Sequence, residues 1–85
     1  MEQKPNIWVE LIGFLGLINN DTGVQGKSFI FKINIEMEQF EAVLFVHPTS
    51  PAFITSENDK FDPELLLKLV LMKYKLEDLI TYEDK

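Results

Sequence analysis

Few residues in this chain are of the types that do chemistry, and their spacing assembles none of the common constellations. His47 is the only histidine and there is no cysteine, so nucleophilic catalysis would need His47, a hydroxyl and an orienting acid brought together by the fold. Ser28, Ser50 and Ser56 supply hydroxyls, but no motif sets any of them beside His47, which reads as a loop histidine at a strand end before Pro48. Without cysteine there is no thiolate nucleophile, disulfide or thiolate metal site. Only a carboxylate metal site remains open.

Two short segments imitate functional motifs. Asp21-Thr22-Gly23 matches the aspartic-protease triplet, but it occurs once and without the surrounding apolar pattern, so it reads as a turn. Glu57-Asn58-Asp59-Lys60-Phe61-Asp62 has the composition of a calcium loop but lacks its central glycine and its closing glutamate. It reads as a solvated loop that caps the following helix. Gly13-Phe14-Leu15-Gly16 is not a phosphate loop. No catalytic residue, metal or cofactor is expected, and the chain reads as non-enzymatic.

Charge is more informative. All eight basic residues are lysines and the net charge is −6; with no arginine fork for phosphate, direct nucleic-acid binding is not expected. Residues 36–64 hold Glu36, Glu38, Glu41, Glu57, Asp59, Asp62 and Glu64 against Lys60 alone, which accounts for the whole −6. Glu36, Glu38 and Glu41 fall near the tip of a predicted hairpin and are candidate protein-binding residues. Such an array keeps a small apolar protein soluble, or imitates spaced phosphates in a protein's DNA-binding cleft.

The elements that must carry these residues follow from patterning. Eighty-five residues make a single domain, 1–85. The apolar positions 7, 8, 11, 14, 15 and 18 are helically spaced and predict an N-terminal helix over about 6–18. Gly13 and Gly16 each cost about 1 kcal/mol there, and a long strand with the glycines at bulges is the alternative. Phe29, Phe31, Ile33 and Ile35 alternate with Ile30, Lys32, Asn34 and Glu36, which predicts a strand at 28–36 with Phe31 and Ile33 inward, Ala42 or Leu44 opposite them, and Lys32 and Asn34 at the surface. Residues 37–39 make the turn, and a partner strand at 40–47 is apolar on both faces from Ala42 to Val46, as a central strand would be. Residues 52–55 are a candidate third strand. Asp62-Pro63-Glu64 is a helix start, and the spacing Leu65, Leu69, Met72, Leu76, Leu79 carries the C-terminal helix over about 63–80. The expected class is α+β, an antiparallel sheet on a long hairpin flanked by two helices.

Helix, hairpin, third strand and helix in this order, over Leu11–Leu17, Phe29–Val46 and Asp62–Met72, resemble at pattern level the specificity chaperones of type III secretion. This chain is shorter and lacks one or two of their strands. The resemblance implies a dimer formed through the C-terminal helix.

Ile7–Ile18 and Leu65–Met72 are apolar on nearly every side, and a domain of this size hides only about 60% of the surface its unfolded chain exposes. At least a homodimer is therefore expected, with Leu67 and Leu71 at the contact and Leu65 and Leu69 on the sheet. Glu10 interrupts the first run and Asn19-Asn20-Asp21 follows it, so the N-terminus does not read as a signal peptide. Neither run reaches the roughly 20 residues of a membrane span. A cytoplasmic, chaperone- or adaptor-like module that binds a protein partner through its sheet or its apolar helices is the leading expectation. The alternative is an acidic inhibitor or DNA mimic of a phage or mobile element.

Overall fold

The computed structural model describes residues 7–19 and 25–82. Four antiparallel strands, β1 (Ile7–Asn19), β2 (Gln25–Ile35), β3 (Glu38–His47) and β4 (Ser50–Ser56), lie in the order β1-β2-β3-β4, followed by helices α1 (Pro63–Lys73) and α2 (Leu76–Ile80). The chain is α+β in broad terms, but the layout differs from the expected one.

The largest correction is at the N-terminus, where the predicted helix at 6–18 is instead the edge strand β1. Its core-side residues pair in sequence: Ile7 with Ile35, Val9 with Ile33, Leu11 with Phe31, Phe14 with Phe29 and Leu17 with Lys27. The register slips between Leu11 and Gly13 and again between Phe14 and Gly16. Each bulge sets two residues against one on β2, so a strand period of two becomes steps of two, two, three and three. The helical spacing at 7, 8, 11, 14, 15 and 18 shares only positions 7, 11 and 14 with this set; a run this apolar fits either period, so its spacing does not separate helix from strand. Gly16 has φ +150°, a backbone conformation that costs glycine nothing and an L-residue a great deal.

β2 is the spine. Phe29, Phe31 and Ile33 are completely buried, as is Leu44 of β3, and Phe31 stands opposite Ala42. The helices lie on this side of the sheet, with Leu66, Val70 and Leu79 buried against it. Aromatic rings fill the gaps: Phe14, Phe29 and Tyr82 form a cluster with centroids 5.3–5.4 Å apart, Tyr74 meets Phe31 edge-on at 5.3 Å, and Phe61 stacks on Phe40 at 5.6 Å. Lys27 is on this side too. Its stem is half-buried and its ammonium donates to the Ile80 and Tyr82 carbonyls, closing the end of α2.

The hairpin is longer than expected at its start and tighter at its tip. Ile35 pairs with Glu38, so the turn is Glu36-Met37 rather than 37–39. Glu36 takes φ 58°, and its carbonyl accepts a 3.1 Å hydrogen bond from Asn34 Nδ2. A second correction lies here: Asn34 is 7% exposed, buried rather than at the surface, and that bond satisfies its amide where water does not reach. The strand expected at 52–55 is β4 and spans 50–56.

The C-terminal helix begins as expected, with Asp62 Oδ1 accepting from the Glu64 N–H and Pro63 in the first turn. It does not run unbroken to 80. Tyr74 and Lys75 are extended, because Tyr74 leaves the helix to lay its ring on Phe31 and to accept the Leu11 N–H at 2.9 Å. The buried stripe is also shifted by one residue from the expected one. Leu66 and Val70 face the sheet, Leu65 is 44% exposed and Leu69 is half-buried.

Two outcomes follow for chemical denaturation. Asn34→Ala should cost about 1 kcal/mol, as loss of a hydrogen bond from a buried amide does, while Lys32→Ala should cost about 0.5 kcal/mol or less; equal costs would contradict the buried turn. Glu36→Gly should stabilise by about 0.5–1 kcal/mol by relieving the left-handed conformation, and destabilisation would contradict the turn geometry.

Candidate interaction surface: the uncovered sheet face

The helices cover one face of the sheet, and no described element covers the other. Register places its side chains in cross-strand rows. At the acidic end Trp8, Asn34 and Gln39 form one row, and Glu10, Lys32 and Glu41 the next, alternating in charge. Gly13, Ile30, Val43 and Thr55 follow, and then Gly16, Ser28, Phe45 and Phe53. Phe45 and Phe53 stack with centroids 4.8 Å apart and planes 18° from parallel, and Phe53 is 55% exposed. Ile12 and Leu15, the extra residues of the two bulges, are 48% and 54% exposed. An open groove of about 640 Å³ passes over Ile30 and Val43 between Glu41 and Glu57. An apolar centre beside a charged row has the composition of an association surface.

The free edge of β1 is treated in two ways. Near its start, the Leu11 N–H donates to Tyr74 and the Val9 carbonyl accepts from Lys73 at 2.6 Å, which blocks strand addition. Beyond the first bulge Ile12, Leu15 and Leu17 stand exposed.

The sequence-predicted site residues do not come together. Glu36 is in the turn, Glu38 is on the helix side of β3, and Glu41 is on the uncovered face. Glu38 is tied to the loop after β4: its carboxylate accepts from Asn58 Nδ2 at 3.1 Å and pairs with Lys60. The single lysine of the acidic segment thus neutralises one of the three glutamates. That hydrogen-bonded ion pair holds the Glu38 carboxyl below its ordinary value and the Lys60 ammonium above its own. Leu67 and Leu71 are half-buried and packed against the core rather than free. The exposed apolar residues of the helices are Leu65, Met72 and Leu76.

The candidates for chemistry remain local. His47 Nδ1 faces the Thr49 amide and hydroxyl within its own turn, at 3.3 and 3.1 Å. Ser28 donates to the Gly16 carbonyl, and Ser56 accepts the Asn58 N–H. The loop at 57–62 is shaped by Asn58, whose Oδ1 accepts the Lys60 N–H. Among the described residues no group of three or more histidines and carboxylates is placed to hold a metal, and no helix is long and apolar enough to cross a membrane. Asp21-Thr22-Gly23 lies outside the described residues.

Sequence reasoning allowed for binding through the sheet or the apolar helices but named only Glu41 on the uncovered face, although one signal for that face was present: a strand apolar on both sides, Ala42–Val46, within a chain too short to cover both. Comparison with family models, curated proteins and solved structures found no match. The pattern-level resemblance to secretion chaperones loses its first element, the N-terminal helix.

A carboxyl held below its ordinary value of 4.5 adds stability above that value and loses it as pH falls through the lowered one. Glu38→Gln should therefore flatten the fall in stability on acidification below about pH 5, measured by thermal unfolding across pH. An unchanged acid limb would show that the Glu38–Lys60 pair does not hold the loop.

Proposed function

We propose that the chain is a small non-enzymatic protein-interaction module and that the uncovered face of its sheet is the working surface. The observation that carries this reading is the pairing of two largely apolar rows, half-buried apart from the buried Ser28 and the exposed Thr55 and Phe53, with one charged row on a face that the described helices leave bare. The bland account of the acids, solubility for a protein with so much apolar surface, fits their dispersal over the turn, the β4–α1 loop and both sides of β3. A DNA mimic needs its carboxylates on one surface, so Glu36, Glu38 and Glu41 give that alternative little support.

Lys32, in the charged row, offers a direct test. Amine-reactive crosslinking in the source cells followed by mass spectrometry should join Lys32 to another protein chain, and Phe53→Glu should abolish that link. Links confined to Lys68 on α1 and Lys75 between the helices, or a Lys32 link that survives Phe53→Glu, would overturn the assignment.

A further inference from the structure

Resting on that reading of the face, we infer that its occupant is a second copy of this chain, packed sheet to sheet about a two-fold axis running parallel to the strands between β2 and β3. Two-fold interfaces must be self-complementary, and aligned sheets pack about 10 Å apart and rotated by about 30°. Such an axis lays each cross-strand row on the same row of the partner while exchanging β2 with β3 and β1 with β4. The rows on this face satisfy that exchange.

In the charged row Lys32 comes over Glu41 of the partner subunit, and Glu41 over the partner's Lys32, two opposite-charge meetings from one pair of positions. In the next row Ile30 and Val43 exchange places. In the aromatic row Phe45 comes over the partner's Ser28 and Phe53 over the partner's Gly16, a ring against a small residue each time. Gly16 leaves room for a ring, since a Cβ built there meets nothing within 4 Å. A two-fold axis perpendicular to the strands would reverse the rows and set Phe45 and Phe53 on the charged row, which strands charge beneath apolar rings. Glu10, at the outer end of the charged row, and Glu57, just past the end of β4, are both exposed and lie at the rim in water, where screening keeps like-charge repulsion small.

The test uses the purified full chain and light scattering with mass determination over a concentration series. Wild type should reach twice the 9.9 kDa chain mass. Lys32→Glu and Glu41→Lys should each weaken the dimer by at least about tenfold, and an equimolar mixture of the two variants should restore it. The mixture is the decisive arm, because Lys32 and Glu41 also face each other within one sheet. Mixing leaves each chain's own like-charge neighbours in place and repairs only the contacts between chains. Phe53→Glu, at a half-exposed position, should give a folded monomer by circular dichroism. A wild-type monomer throughout, or a mixture that stays monomeric, would overturn the inference. So would a dimer indifferent to these changes but lost with Leu67→Glu or Leu71→Glu. If the purified chain is monomeric while Lys32 still crosslinks to a different protein in cells, the second-copy inference fails and the reading of the face stands.

Discussion

Burying Phe29, Phe31 and Ile33 on one side of β2 is the demand around which the rest of the chain is arranged. Those residues, with Leu44 opposite, are wholly removed from water, and each large side chain contributes about 1.5–3 kcal/mol when fully buried. A sheet of four strands is about 19 Å wide at 4.8 Å per strand. Two helices of about 10 Å diameter, side by side, cover one face of it. The described chain has helix enough for one layer: 11 residues in α1 and 5 in α2. The break at Tyr74 lets the two pieces lie over different parts of the spine and donates an aromatic ring and a hydroxyl to it. With that face satisfied, no described element remains for the other.

The same shortage explains why the edges are treated unequally. β4 is short and carries Pro51, which suits an edge because proline has no N–H to offer a new strand. β1 is long, and it is protected at its start by Tyr74 and Lys73 and bent by two bulges farther on. Bulges twist an edge away from open pairing, but they also leave Ile12 and Leu15 exposed. The surface that association would cover is thus continuous from the β1 bulges across Ile30 and Val43 to Phe53.

Legibility in the sequence followed locality. The β2–β3 hairpin was readable because Phe29 to Ile35 alternate without interruption and the helix start at Asp62-Pro63 is a purely local signal. β1 was misread because the run is apolar at nearly every position, so 7, 8, 11, 14, 15 and 18 fit a helical period although the core-side set is 7, 9, 11, 14 and 17; Gly13 and Gly16 were the warning. The turn at Glu36-Met37 was missed because it depends on a left-handed glutamate held by the side chain of Asn34. The end of α1 was missed because its cause, the meeting of Tyr74 with Phe31 and Leu11, spans most of the chain. The buried stripe of α1 was off by one residue because Leu65–Met72 is apolar on every side and carries no phase. The candidate surface was half legible. Apolar residues on both faces of β3 signalled a central strand, and only the fold reveals that one of those faces is left bare.

Solvent access to methyl groups on the two faces tests the central claim most directly, that one face is covered by the chain itself and the other by association. NMR of the isoleucine, leucine and valine methyls with a soluble paramagnetic agent reads both at once. Ile33 and Leu44 should be shielded at every protein concentration, while Ile30 and Val43 should be broadened in dilute solution and become shielded as concentration rises. Shielding of Ile30 and Val43 that persists in a monomeric Phe53→Glu variant, or broadening that persists in wild type at high concentration, would contradict it.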